Sequence, residues 1–180
     1  MELIKTEFKD LIIIKHDVYN DKRGYFKEKI KYELLENITN QKLNFCQENS
    51  AESYLNVLRG LHYQKTPFQQ SKLISIEYGT ILDIAVDIRY ESDTYGKYFS
   101  YKLSSKNHES LFIPKGFAHG YLTLSKSAKI SYVVDNFYNP KTESGIPYDD
   151  KYLNIDWSIS KEKIIISEKD KHHPDFKWLK

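Results

Sequence analysis

A succession of short β-prone segments between residues 45 and 134 constrains the fold of this chain more than any other feature. Each segment is rich in β-branched and aromatic residues and is bounded by clusters of turn-forming residues, and no helical period interrupts them. The predicted strands are Phe45–Ser50, Val57–Gln64, Lys72–Tyr78, Ile81–Arg89, Tyr98–Leu103, Ser110–Ile113, Gly120–Leu124 and Lys129–Val134. Short strands in such close succession favour an antiparallel sandwich or barrel.

The N-terminal flank carries different patterns. Leu11–His16 is an apolar, β-branched run that predicts one more strand. Turn residues at Asn20–Gly24 precede an alternation of aromatic or apolar residues with charged ones over Tyr25–Ile30, which is typical of a further strand. Lys31–Asn40 is the one segment with a helical pattern.

The C-terminal quarter is less regular. Prolines and a glycine break the pattern after Asn139, and Lys171–Lys180 is polar and partly aromatic, so we expect this tail on the surface. No internal repeat, low-complexity tract or linker divides the chain, and 180 residues are enough to bury a core. We therefore expect residues 1–180 to form a single domain.

Charge and cysteine content narrow the class of protein. The formal net charge of +2 is too small to indicate binding to nucleic acid or to a membrane. The single cysteine, Cys46, cannot form an intramolecular disulfide, and the opening residues MELIKTEFKD lack the apolar core of a signal peptide. These features favour a cytoplasmic protein with no nucleic-acid or membrane partner.

Histidine spacing argues against the metal centre that jelly-roll barrels often hold. Such a site needs two histidines one residue apart, a nearby carboxylate and a third histidine. His62 is followed by a tyrosine and a glutamine, and His119 stands alone 57 residues later. His172 and His173 are adjacent in a charged tail and are interpreted as solvated surface residues. No metal is therefore expected.

The segment Arg59–Gln64 (RGLHYQ) concentrates polar chemistry around one glycine. Its arginine offers a fork for phosphate or carboxylate, and His62 can carry a proton near neutral pH. His119, in the segment GFAHGY, is a second candidate base. Each histidine is equally consistent with a satisfied structural residue, and the residues alone leave both interpretations open.

Two aspartates lie four residues apart on one predicted strand. Because side chains two and four apart on a strand share a face, Asp83, Asp87 and Arg89 point the same way as Ala85. Charges on a face shared with apolar residues need partners. Hydrogen bonding inside the barrel and a polar face toward a substrate both fit this pattern.

Four further residues have reactive or polar side chains but ordinary surroundings. Lys72 opens a strand and is either an inward cation or a surface charge. Tyr132 and Tyr138 have the positions of ordinary packing residues, and Asp170 has the surroundings of a solvated acid in a charged tail. Taken singly, none of the four indicates a functional site.

Seven motifs occur in order along most of the chain. They are DKRGYFKE (Asp21–Glu28), FCQENS (Phe45–Ser50), RGLHYQ (Arg59–Gln64), QSKL (Gln70–Leu73), DIAVDIR (Asp83–Arg89), IPKGFAHG (Ile113–Gly120) and SEKD (Ser167–Asp170). Their order and spacing resemble those of the dTDP-4-dehydrorhamnose 3,5-epimerases, a metal-free branch of the cupin-like jelly rolls. The resemblance implies a mainly β, antiparallel jelly-roll (cupin-like) barrel with a few short helices and an irregular C-terminal segment.

The resemblance also implies catalytic roles. His62 matches the family's catalytic base, and Asp170 matches the carboxylate that orients it. Tyr132 matches the proton donor on the opposite face of the sugar ring, and Lys72 matches the cation near the C4 keto oxygen. In such a reaction the C4 ketone acidifies the protons on C3 and C5, so a base, a cation for the oxyanion and an acid suffice. No cofactor is implied.

Substrate-binding positions match as well. His119 and Arg59 match residues that line the sugar and diphosphate, and the nucleotide-binding positions match Arg23, Phe26, Glu28, Gln47, Asn49 and Tyr138. In this family Phe26 and Tyr138 stack on the thymine. Members are dimers in which the Arg23–Glu28 segment reaches the neighbouring site. The implied partners are therefore a dTDP-linked 4-keto-6-deoxy sugar and a second copy of the chain.

The sequence leaves three functions open. The first is inversion of both C3 and C5, the second is inversion of a single carbon or action on another nucleotide sugar, and the third is a non-catalytic jelly roll that binds a nucleotide sugar. The joint presence of a base, its carboxylate, a cation and an acid argues against the third. Ala51–Asn56 and Gly145–Asp150 depart from the common sequence pattern of the family, and we expect both at the rim of the substrate-binding cavity.

Overall fold

The computed structural model describes residues 1–178, which form thirteen strands, two α-helices and two short 3-10 helices. The strands are β1 Glu2–Lys5, β2 Ile12–Lys15, β3 Tyr19–Asp21, β4 Gly24–Phe26, β5 Gln47–Tyr54, β6 Leu58–Gln64, β7 Lys72–Tyr78, β8 Thr80–Asp87, β9 Tyr98–Ser104, β10 Glu109–Ile113, β11 Phe117–Thr123, β12 Ser127–Val134 and β13 Glu143–Gly145. The helices are α1 Tyr32–Thr39 and α2 Glu168–Lys171, and the 3-10 helices span Lys161–Lys163 and Phe176–Trp178.

Eleven of the strands form two antiparallel sheets. The first sheet has the order β1-β2-β10-β7-β12-β5, and the second has the order β13-β6-β11-β8-β9. The strands β3 and β4 form a separate hairpin. Many neighbours within a sheet are distant in sequence, so the chain crosses repeatedly from one sheet to the other. This arrangement confirms the predicted mainly β, antiparallel jelly roll with few helices.

The main core lies between the two sheets. Because side chains alternate across the pleat, each sheet turns one set inward. Ile74 and Ile130 of the first sheet pack with Ile81, Ala85 and Phe117 of the second, and all five are buried. Fully burying a side chain the size of isoleucine or phenylalanine contributes about 1.5–3 kcal/mol.

The outer faces of both sheets are covered too. Leu35 of α1 packs with Phe112 over the first sheet. Over the second sheet, the segment that follows β13 places Trp157 and Phe176 against Ile84. This covering segment also carries α2, and it is how residues far along the chain reach the second sheet.

The predicted elements agree with the observed ones in most of the chain. The strand β7 has the predicted bounds, and the predicted helix is present as α1. The strand predicted over Tyr25–Ile30 is wrong beyond Phe26. There the only pairing partner, β3, is three residues long, so the ladder of hydrogen bonds ends.

The surface position expected for the C-terminal tail is wrong at Phe176. Its ring is 3% exposed because it stacks on Tyr152 and packs against Tyr95. Leu179 and Lys180, the last residues of that predicted tail, lie outside the described residues.

A membrane span is not found among the helices of residues 1–178, since none combines the length and the apolar character that crossing a bilayer requires.

Candidate active site

A cavity of about 580 Å³ lies between the two sheets and is lined by residues of both. It brings together six residues that the sequence singled out, namely Arg59, His62, Lys72, His119, Tyr132 and Asp170. They come from β6, β7, β11, β12 and α2. Four of the six residues lie in strands whose positions were predicted individually. Their meeting in one cavity depends on how the strands and α2 pack together.

The centre of the cavity wall is a hydrogen-bonded pair of His62 and Asp170. His62 Nε2 lies 2.7 Å from Asp170 Oδ1, and Asp170 is only 4% exposed. Burial would raise the pKa of this carboxyl, but the His62 hydrogen bond and charge, with the Gly60 N–H, lower it to about 2. Since the carboxylate is ionised, Nε2 carries the proton and Nδ1 has the free lone pair.

The start of α2 fixes the position of the carboxylate. Ser167 caps this helix, and its Oγ accepts a hydrogen bond of 3.2 Å from the Asp170 N–H. In the carboxylate itself, Oδ2 accepts a 3.2 Å hydrogen bond from the Gly60 N–H, while Oδ1 is bonded to His62. Both oxygens are thus occupied, so the carboxylate can hold the imidazole in one orientation.

Close contact between β6 and β11 sets the histidine in place. Gly60 has φ of +115°, and a Cβ there would lie 2.6 Å from both Gly120 Cα and the His119 carbonyl oxygen. Only glycine tolerates this conformation and this approach together. The contact pairs His62 directly with His119 across the two strands.

His119 is itself held by a buried carboxylate. Its Nε2 lies 2.5 Å from Asp83 Oδ1, and neither side chain is more than 9% exposed. Burial lowers the pKa of His119 against the opposing effect of Asp83. A neutral, anchored His119 suits a structural or hydrogen-bonding part of the wall.

Of the two aspartates on β8, only Asp83 belongs to the site. Asp87 makes a buried ion pair with Arg89 at 2.6 Å and accepts hydrogen bonds from Ser92 and Thr94. Hydrogen bonding within the protein therefore explains Asp87, while Asp83 supports a histidine that faces the cavity.

Lys72 supplies the cavity with a cation. Burial lowers the pKa of this ammonium group to about 8, although Asp83 and Glu143 act in the opposite direction. At neutral pH the group is mostly charged and yet poorly solvated. Such a cation interacts strongly with any anion that forms beside it.

Tyr132 lies on the sheet that faces His62. Burial, followed by the neighbouring Tyr121, raises the pKa of its phenol, while Arg59 opposes the change. The phenol therefore keeps its proton at neutral pH and can donate it. Because Tyr132 is on β12 and His62 is on β6, an acid and a base belong to opposite sheets.

A smaller cavity of about 260 Å³ adjoins the first and shares His62, Lys72 and Tyr132 with it. It is lined by the predicted binding residues Gln47, Asn49 and Tyr138 and by Glu143, Tyr63, Gln64 and Gln70. Gln47 Nε2 donates to Asn49 Oδ1 at 2.8 Å, and the Tyr138 hydroxyl donates to Glu143 at 2.8 Å. The three shared residues make the two cavities parts of one cleft.

Arg59 lies at the rim of the larger cavity. Its Nε donates to Ser53 Oγ at 2.9 Å, and its NH2 donates to the Glu52 carbonyl at 3.2 Å. The same Ser53 hydroxyl lies 3.0 Å from the Tyr121 hydroxyl. The guanidinium is exposed and oriented, which suits recognition of an anionic group.

Three predicted binding residues do not reach either cavity of their own chain. Arg23 and Phe26 lie on the β3–β4 hairpin, with the Arg23 side chain 83% and Phe26 66% exposed. Arg23 forms an ion pair with Asp21, and Glu28 forms one with Lys31. Among the described residues, neither cavity is therefore lined by Arg23, Phe26 or Glu28 of the same chain.

The two segments that depart from the sequence pattern of the family, Ala51–Asn56 and Gly145–Asp150, lie in different parts of the fold. Ala51 lines the larger cavity, as expected of a rim segment. In Gly145–Asp150 the expectation is wrong for Ile146 and Tyr148, which pack in the apolar cluster on the outer face of the second sheet, whereas Gly145 pairs with His62. The Tyr148 carbonyl also accepts a hydrogen bond from the Trp157 indole at 2.8 Å.

Tyr121 and Glu143 are site residues that sequence reasoning missed. Tyr121 stands two residues after His119 on β11, so the strand period was a usable signal for it. Glu143 had no such signal because it lies in an irregular segment, where β13 forms only by pairing with β6.

The solvated position expected of His173 is wrong. Its side chain is 9% exposed, and its Nε2 lies 3.5 Å from Asp170 Oδ1. The ring meets the His62 ring edge-on at 5.7 Å and covers Gly145, where a Cβ would clash with it. No pattern in the sequence indicated this burial, because His173 lies beyond the end of α2 and outside the shared motifs. His172, in contrast, is exposed as expected.

Comparison with known sequences gives one family. The family model described as dTDP-4-dehydrorhamnose 3,5-epimerase matches residues 5–177. A dTDP-4-dehydrorhamnose 3,5-epimerase of Shigella flexneri is 42% identical over 170 residues, which cover 94% of this chain and 93% of the relative.

Solved structures agree with the sequence match. The crystal structure of dTDP-4-dehydrorhamnose 3,5-epimerase from Elizabethkingia anophelis NUHP1 superimposes with a TM-score of 0.95 at 44% identity, covering 98% of this chain and 97% of that chain. A dTDP-6-deoxy-D-glucose-3,5-epimerase from Legionella pneumophila Philadelphia 1, in complex with dTDP-4-keto-L-rhamnose, has a TM-score of 0.93 at 37% identity and covers 99% and 94%. Because the match in sequence and in fold extends over nearly the whole chain, this protein belongs to the dTDP-4-dehydrorhamnose 3,5-epimerase family of isomerases.

Proposed function

We propose that this protein inverts C3 and C5 of dTDP-4-dehydro-6-deoxy-D-glucose to give dTDP-4-dehydro-L-rhamnose, a step that serves the synthesis of rhamnose-containing polysaccharides. The observation that carries the proposal is the convergence of the His62–Asp170 pair, Lys72 and Tyr132 on one cavity. Membership of the family supplies the substrate class.

His62 is the proposed base, acting through Nδ1. Removal of a proton from C3 or C5 places negative charge on the C4 oxygen, since the carbanion is delocalised as an enolate. The ionised Asp170 stabilises the imidazolium that His62 becomes. Positioned acid–base catalysis of this kind contributes about 10²–10⁴-fold.

Lys72 is the proposed partner of the enolate oxygen, and Tyr132 is the proposed acid. A poorly solvated ammonium group stabilises a developing oxyanion more than water does. Tyr132 then returns a proton from the face opposite to His62, and this return inverts the carbon. The location of these two residues on the sheet facing β6 supports that division of labour.

His119 and Arg59 are proposed to line the sugar and the diphosphate. Arg59 is exposed and oriented by Ser53, so its free guanidinium N–H groups can bind phosphate oxygens. Gln47, Asn49 and Tyr138 of the adjoining cavity are proposed to bind the nucleoside.

We further propose that the protein is a homodimer and that Arg23, Phe26 and Glu28 complete the partner's site. The β3–β4 hairpin exposes Tyr19, Tyr25 and Phe26, at 62%, 56% and 66%, although aromatic side chains of this size are seldom left uncovered together. An aromatic hairpin that touches neither cavity of its own chain suits delivery to a second copy. The free Cys46 supports a reducing, cytoplasmic location.

Incubation with dTDP-4-keto-6-deoxyglucose in deuterated water tests the reaction. Deuterium and inversion at both C3 and C5, read by NMR, are expected. Label at one carbon would instead favour a single-centre epimerase, and no exchange would favour a binding protein. His62→Ala should abolish exchange, whereas a near-normal rate in this variant would contradict the assignment of the base.

Co-expression of two inactive variants tests the shared site. Each heterodimer of Phe26→Ala and His62→Ala chains has one intact site, so about a quarter of wild-type activity is expected from random pairing. Asp170→Asn with His62→Ala is the matched control, since both changes lie in the same half of the site. Equal inactivity of the two mixtures would contradict hairpin exchange.

A further inference from the structure

His173 places an unpaired imidazole nitrogen beside the His62–Asp170 pair. Its side chain is only 9% exposed, and Nε2 has no hydrogen-bond partner among residues 1–178. Buried polar atoms nearly always have a partner. Its ion-pair contact with Asp170 Oδ1 is 3.5 Å long, too long for a normal hydrogen bond, so the nitrogen can still serve as a donor atom for a bound ion.

The surroundings of that nitrogen have the geometry of a metal site. One ligand atom from each of His62, Asp170 and His173 lies within 4.8 Å of the others. Asp170 Oδ1 is 2.7 Å from His62 Nε2 and 3.5 Å from His173 Nε2. Ligand atoms at 2.0–2.1 Å from a tetrahedral zinc ion are about 3.3 Å apart, and the two distances to Asp170 Oδ1 each lie within 1 Å of that value.

We propose that His62, Asp170 and His173 bind a divalent transition-metal ion, with Zn²⁺ as the best fit. Two imidazoles and one carboxylate are a ligand set that zinc accepts, with a fourth position left for water or another ligand. The Gly60 N–H holds Asp170 Oδ2, which leaves Oδ1 for the metal and orients the carboxylate from behind.

Local charge also favours a cation at this position. Asp170 carries the negative charge of the site. Lys169 beside it is ion-paired with Glu143, and Lys72, the buried cation of the cavity, belongs to the opposite sheet.

Metal binding would switch the base off, a consequence that rests on the proposed function. In the metal-free protein Asp170 holds the proton of His62 on Nε2, and Nδ1 accepts a proton from the sugar. For Nε2 to bind a metal, the ring must take the tautomer in which its one N–H proton has moved to Nδ1, which then has no lone pair to offer. Zinc is therefore expected to inhibit this enzyme reversibly.

Calorimetric titration of ZnCl₂ into metal-free protein tests the site directly. Wild type and the control His172→Gln, a change at the exposed neighbour, should each bind one ion per chain. His173→Gln should bind at least about 100-fold more weakly, since loss of a residue that merely supports a ligand already costs 10–100-fold. Absence of saturable binding to wild type, or equal binding by His173→Gln, would overturn the proposal.

A second measurement needs no variant at position 173. In ¹H–¹⁵N spectra of wild-type protein, Zn²⁺ should move the ring nitrogens of two of the six histidines to metal-bound shifts. Shifts at His172 or at no histidine would overturn the site. Epimerisation, measured with Zn²⁺ and after removal of zinc by EDTA, should be lost and regained. Failure to turn over the sugar in any condition would refute the proposed function alone, since calorimetry still decides whether the metal binds.

Discussion

Replacing Asp170 by asparagine removes one negative charge from the cavity while keeping the size of the side chain. In the wild type the carboxylate accepts the Nε2–H of His62 at 2.7 Å. A carboxamide can instead turn its NH₂ toward the ring, which favours the tautomer with the proton on Nδ1. Both the charge that stabilises the imidazolium and the correct tautomer are then lost.

The pKa of Asp170 gives the order of magnitude of the effect. A fall from 3.8 to about 2 corresponds to about 2.4 kcal/mol at 1.36 kcal/mol per pKa unit. His62 is the largest of the groups that cause this fall, and the Gly60 N–H and His173 add to it, while burial acts against it. Loss of an interaction of this size predicts a decrease of roughly 60-fold in kcat. The wrong tautomer adds to it, up to the loss of about 10⁴-fold seen when the carboxylate of a serine-protease triad becomes an amide.

Deuterium exchange followed by NMR gives the rate, and titration with dTDP confirms that the cleft is intact. Asp87→Asn is the matched control, because Asp87 is fully buried in an ion pair but lies outside the cavity. It should lower the free energy of unfolding while leaving turnover of the folded fraction unchanged. If Asp170→Asn stays within about 5-fold of wild type, the carboxylate does not support the base and the reasoning fails.

Three further predictions concern the rest of the cavity. Lys72→Met should lower kcat by about 10²–10³-fold, as loss of one oxyanion donor does. Because the pKa of Lys72 is about 8, the wild-type rate should fall as pH rises through 8; persistence of that basic limb in Lys72→Met would assign it elsewhere. Tyr132→Phe should retain deuterium exchange while inversion decreases, because removal of the proton by His62 does not need the donor; equal loss of both would contradict the role of Tyr132. Gly60→Ala should cost at least about 3 kcal/mol in urea unfolding, from strain and backbone contact together, whereas Gly24→Ala, with φ of +126° and nothing within 4 Å, should cost about 1–3 kcal/mol from strain alone. Equal losses at the two glycines would show that the close contact of β6 with β11 does not contribute to the free energy of unfolding.

Local patterns predicted the strands but not all of their partners. The period of two along β8 correctly set Asp83 and Asp87 on one face, since that property belongs to the strand itself. Their hydrogen-bond partners differ, and these partners come from outside the strand. His119 reaches Asp83 from β11, whereas Arg89 reaches Asp87 from two residues away.

The C-terminal residues of the site were beyond residue-level prediction for a physical reason. Asp170 lies among charged residues, and only the docking of its segment over the second sheet buries it beside His62. The family resemblance supplied its role, because a shared motif carries the result of that docking. His173 lies outside the shared motifs, so its burial became visible only in the folded chain.

The docking of α2 also separates the formation of the fold from the formation of the site in time. Both sheets are complete once β13 has formed, at Gly145, whereas the carboxylate of the dyad enters 25 residues later in the chain. During synthesis the sheets can therefore close around a cleft that still lacks Asp170. A chain that terminates within those residues would leave the base unsupported and would also lack part of the apolar cover over the outer face of the second sheet. Turnover thus reports that synthesis went past Asp170, which a measurement of β-sheet content does not.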